Sequence, residues 1–67
     1  MVEPIFINQK DWRRFLEVID FYEDEDADSS VVYLLHRALG SKKRIRGGYM
    51  LYPITEAEQE VVLDALS

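Results

Sequence analysis

The chain has 67 residues, a formal net charge of −5 and no cysteine. That length allows a single domain, residues 1–67, burying only about 60% of its unfolded surface, and it has no disulfide staple or thiolate metal site. One histidine, no apolar run near the ~20 residues that cross a bilayer and no basic leader at Met1-Val2-Glu3-Pro4 lead us to expect a cytoplasmic protein with no membrane contact, metal or cofactor.

Pro4 to Ile7 reads as a strand, with the β-formers Ile5, Phe6 and Ile7 in succession. Asn8 offers an N-cap, and Trp12, Phe15, Leu16, Ile19 and Tyr22 then recur at helical spacing. This helix is expected to end near Tyr22 or Glu23, because acids at a helix C-terminus face the negative end of the macrodipole. Glu23, Asp24, Glu25, Asp26 and Asp28 are therefore placed in a loop leading to a second helix, where the same charges meet a positive N-terminus.

Helix two is expected over Ser30 to Leu39, capped by Asp28, Ser29 or Ser30 and closed by Gly40 in a left-handed conformation. Its apolar set (Val31, Val32, Leu34, Leu35, Ala38, Leu39) is broad enough for burial on more than one side. Gly47-Gly48 then separates two strand-like runs and reads as a two-residue hairpin with a primed turn. That register pairs Arg46 with Tyr49, Ile45 with Met50, Arg44 with Leu51 and Lys43 with Tyr52. It sets Ile45, Met50, Tyr52 and Ile54 on one face, expected to be core. Arg44, Arg46, Tyr49 and Leu51 fall on the other, expected to be surface. Thr55-Glu56-Ala57-Glu58 is a capping box, opening a last helix whose apolar face is Ala57, Val61, Val62, Ala65 and Leu66. The expected fold is thus α+β, in the order β-α-α-β-β-α, with a three-stranded, mostly antiparallel sheet packed by helices.

The charges fall into blocks: seven acids and no base from Glu17 to Asp28, then five bases and no acid from Arg37 to Arg46. Asp24-x-Asp26-x-Asp28 mimics the start of a calcium loop, but Ser29 stands where glycine is needed and Leu35 where the bidentate Glu is needed. These acids read as a solvated loop at a helix start, with an acidic contact surface as the alternative.

In the basic block, Lys42, Lys43, Arg44 and Arg46 beside Tyr49 suit a contact with a charged partner. As an alternative to a partner, such bases form a solvated edge that prevents sheet-to-sheet pairing. Two helices followed by a basic hairpin, residues 42–52, resemble part of a winged helix, which would imply nucleic-acid binding with the helix in the major groove and the hairpin beside it. His36 and Arg37 would then be the only polar readers on that helix. No nucleophile motif surrounds Ser29, Ser30, Ser41 or His36, and so no enzyme is expected.

Phe6, Phe21, Tyr33 and Leu51 lie off the apolar faces of their own elements, as interface residues do, unless helices cover both faces of the sheet and absorb them. The function expected from the residues is a noncatalytic regulatory or adaptor protein, of the accessory or phage-type kind, that binds another protein. Arg44, Arg46, Tyr49, Leu51, Lys42, Lys43, Phe21 and Tyr33 would make the contact. A homodimer is the second expectation, and nucleic-acid binding through the hairpin is the alternative.

Overall fold

The computed structural model describes residues 1–67 and shows the expected element order: β1 (Ile5–Asn8), α1 (Gln9–Asp26), α2 (Ser30–Gly40), β2 (Lys43–Ile45), β3 (Gly48–Leu51) and α3 (Glu56–Leu66). The strands form one antiparallel sheet in the order β1-β3-β2, so β3 is central and both other strands are edges. No helix is long and apolar enough to cross a membrane.

Each helix starts at a side-chain cap, which accepts a backbone N–H left unpaired by the first turn. Asn8 Oδ1 accepts from Asp11 N at 2.7 Å, Ser29 Oγ from Val32 N at 3.1 Å and Thr55 Oγ1 from Glu58 N at 3.2 Å. The core gathers Ile7 and Leu51 from the sheet, Trp12, Phe15 and Ile19 from α1, Leu35 and Ala38 from α2, and Val62 and Ala65 from α3. Leu16 and Tyr22 of α1 and Ala57 of α3, expected among these apolar faces, are exposed. All the core residues of the sheet lie on one face, and the helices cover it as a second layer.

Three expectations are corrected. First, α1 continues through the acidic run to Asp26, leaving only Ala27 to Ser29 as the connection. Continuing a helix adds one backbone hydrogen bond per residue, whereas each unfavourable terminal charge costs only about 0.3–1 kcal/mol. Glu23 is also held from the side, by contact of its carboxylate with His36 Nε2 on α2. No base lies in the last turn of α1. Glu25→Lys is therefore expected to stabilise the fold by about 0.3–1 kcal/mol, read as a raised denaturation midpoint in urea.

Second, α2 does not close on a left-handed glycine. Gly40 is its last residue, and Ser41 follows at φ −97°. Ser41 ends the helix with its own hydroxyl, which donates to Ala38 O at 2.7 Å and accepts from Tyr52 N at 3.1 Å. One side chain thus ties the end of α2 to the end of β3.

Third, the hairpin is shifted in register and turned over. The pairs are Lys43 with Met50, Arg44 with Tyr49 and Ile45 with Gly48, so the turn is Arg46-Gly47. Positive φ occurs only at Gly47 (+86°), the second turn position, as in a type II turn; both primed turns need it at the first position, Arg46, as well or instead. Gly48 belongs to the strand instead. A Cβ there would stand 2.2 Å from the carbonyl oxygen of Ile7, so only glycine lets β1 approach β3.

The shift is two residues and keeps the alternation of faces, so Arg44, Tyr49 and Leu51 still share one. That face is the core side, however. Leu51 is 0% exposed, and the Tyr49 ring stacks on Trp12 with centroids 4.2 Å apart. The face expected to be core, with Ile45, Met50 and Tyr52, looks outward. Pairing with β1 decides this: Ile5 and Ile7 stand opposite Leu51 and Tyr49 and complete an apolar face against which the helices pack.

Candidate functional site

The outward face of the sheet is built by alternation along three strands. Phe6 projects from β1, Met50 from β3, and Lys43 and Ile45 from β2. Phe6 is 48% exposed, Met50 and Ile45 are half-buried, and Tyr52 just beyond β3 is exposed. The core residues are drawn from the opposite face, and an apolar strip is left in water.

A basic margin runs beside this strip. Lys42, Lys43, Arg44 and Arg46 are all exposed, Lys43 opposite Met50, Arg44 opposite Tyr49 and Arg46 in the turn. Three contacts join basic side chains or the N-terminus to carboxylates within the chain: Met1 to Glu56, His36 to Glu23 and Arg37 to Glu58. None involves a hairpin base, so the acidic and basic blocks do not meet within one molecule.

The sequence-selected contact residues divide into three groups. The four hairpin bases lie along the sheet's edge, Lys43 on the outward side and Arg44 on the side of Tyr49. Tyr49 and Leu51 are withdrawn into the core side, Leu51 completely, and Leu51 has no surface to offer a partner. Phe21 (55% exposed) and Tyr33 (61% exposed) belong to the separate α1–α2 surface. There Phe21 stacks with Tyr22 at 6.2 Å, and the Arg37 guanidinium stands 5.9 Å over the Tyr33 ring.

Glu23, Asp24, Asp28, Tyr33 and His36 line an open groove between the end of α1 and the start of α2. Glu25 and Asp26 are exposed in the last turn of α1. Because Asp24 and Asp26 are helical and Asp28 is not, the three do not wrap a common centre as a calcium loop would.

No protein-family model, curated protein or solved structure matches the chain.

Two features escaped the sequence reading. One is the outward placement of Ile45 and Met50 beside Phe6. The hairpin alone offers two faces of similar apolarity, and the signal appears only when the alternation Ile5-Phe6-Ile7 is laid beside it. The other is Glu58, a capping-box residue that is also 1% exposed. Its Oε2 accepts from Ile54 N at 3.0 Å, one residue before the cap rather than at the cap. Its Oε1 lies 3.0 Å from Arg37 Nε but in no hydrogen-bonding alignment, so charge rather than direction carries that contact. This pair locks α3 onto α2 and is structural.

Proposed function

We propose that the protein is a noncatalytic regulatory or adaptor module that binds another protein through the outward face of its sheet. The observation that carries this reading is an apolar strip (Phe6, Ile45, Met50, Tyr52) beside four bases that have no carboxylate partner in the molecule. Apolar and aromatic groups framed by charge are what interface centres resemble. Lys42, Lys43, Arg44 and Arg46 would orient an acidic partner and raise the association rate, while the strip supplies contact area.

The test is affinity capture from the source cell's lysate with wild type and with Lys43→Glu/Arg46→Glu. Partners recovered by the wild type are expected to be lost by the double variant. An unchanged set would remove the hairpin from the interface.

Nucleic-acid binding through the same hairpin is the second reading, favoured by the unpaired bases alone. The surroundings of α2 weigh against it. His36 and Arg37, its polar readers, are engaged by Glu23 and Glu58, and Glu23, Asp24 and Asp28 would repel phosphates there. If the hairpin neutralised three or four phosphates, log K would fall with log salt at a slope of about −3 to −4. We expect no retardation of short duplex or single strands even at low salt. A slope of that size would overturn the protein-binding preference.

A further inference from the structure

The two edges of the sheet are unlike. β2 carries Lys43 and Arg44, and two such edges brought together repel. Pro4 to Asn8, on the other edge, has no charge, so two copies can approach there despite a net charge of −5 on each.

The backbone of β1 shows which atoms are free. Gln9 N–H donates to Gly47 O at 3.0 Å, next to the pair Asn8–Gly48. In an antiparallel ladder hydrogen-bonded and non-hydrogen-bonded pairs alternate, so Ile7 and Ile5 bond to β3. Phe6 then turns both its N–H and its C=O to the outer edge, and Asn8 turns its N–H the same way.

We propose that β1 pairs with β1 of a second copy, antiparallel about a twofold axis at Phe6, to make a continuous six-stranded sheet. In this register Phe6 exchanges both of its backbone bonds with the partner's Phe6. Asn8 N–H donates to the partner's Pro4 C=O, and the reciprocal bond follows by symmetry. The two groups that cannot pair also coincide. Pro4 has no N–H, and it faces the C=O of Asn8, which as the cap of α1 already accepts the first helical bond. The outward Phe6 rings become cross-strand neighbours. So short a pairing buries less than the ~1,200 Å² of a standard interface, and the dimer is expected to be weak and concentration-dependent. It uses the backbone edge of β1, whereas partner binding is assigned to the outward face and its basic margin; Phe6 belongs to both, and Lys43→Glu/Arg46→Glu, which leaves β1 untouched, separates the two.

Sedimentation equilibrium over a micromolar to millimolar series tests this. The weight-average mass is expected to rise from 7.9 kDa towards twice that value. Phe6→Pro removes only the outward N–H and should stay at the monomer mass with unchanged circular dichroism. Should that variant unfold, Phe6→Lys, which places two like charges at the axis, gives the same readout. Hydrogen exchange is expected to slow with concentration at Phe6 and Asn8 but not at Ile5 or Ile7. A wild type that stays monomeric throughout, dimers that persist in both variants, or unchanged exchange at Phe6 and Asn8 would overturn the proposal.

Discussion

Glu58→Ala is expected to lower the melting temperature more than any other single loss of a polar side chain in this protein. The carboxylate is buried and serves two elements at once. It receives the N–H of Ile54 before α3 and stands against the charge of Arg37 on α2. Removing it strands a partly buried N–H, weakens the start of α3 and leaves Arg37 without its counter-ion. The Arg37 side chain is 41% exposed, so water recovers part of that last loss. Together these amount to about 2–4 kcal/mol. In a domain of this size that is a fall of roughly 10–25 °C, measured by thermal circular dichroism. Glu58→Gln keeps the shape and an acceptor for Ile54, and is expected to cost clearly less. Equal losses in the two variants would show that the charge of Glu58 beside Arg37, not its shape or its acceptor for Ile54, sets its contribution.

The second large effect is expected at Gly48, and it separates two glycines that are adjacent in sequence. Gly48→Ala places a Cβ 2.2 Å from a backbone oxygen and 2.8 Å from the Asn8 Cα, neither of which moves without parting β1 from β3. A loss of about 4 kcal/mol or more is expected, enough to unfold most of a small domain at room temperature. Gly47→Ala meets no atom within 4 Å but must hold φ +86°, and about 1–2 kcal/mol is expected. Gly40→Ala, at the open end of α2, should stabilise by about 0.5–1 kcal/mol. Urea titrations of the three variants check the order. If Gly47→Ala proved worse than Gly48→Ala, the turn would lie one residue later, as a Gly-Gly hairpin predicts.

Much of the fold is legible in local residue patterns. The helical spacing of Trp12, Phe15 and Ile19, the caps Asn8 and Thr55 and the two glycines before Tyr49 each announce an element within a few residues of its position. What misled was reasoning that stayed local. The macrodipole alone favours an end to α1 near Tyr22 or Glu23, but the remaining helical hydrogen bonds and the contact of Glu23 with His36, thirteen residues away, carry the helix to Asp26. The Gly-Gly pair suggested a primed turn because the need for a bare Cα at Gly48 comes from Ile7, forty-one residues earlier.

For the candidate site the sequence located the basic hairpin but exchanged the two faces beside it. Arg44, Tyr49 and Leu51 do share a face, as alternation requires. Alternation has no sign, however, and cannot say which face meets the helices.

By itself, then, the sequence determined the element order, the helix starts, the separation of acids from bases and the pairing of side chains into two alternating sets. These follow from contacts between residues a few positions apart. Only the tertiary structure decided which set is buried, that Glu58 is enclosed with Arg37, that the charge blocks do not meet within one molecule, and that β1 is left as an uncharged edge. Each of these depends on where β1 lies against β3 and how the helices cover one side, a choice made by packing between distant segments.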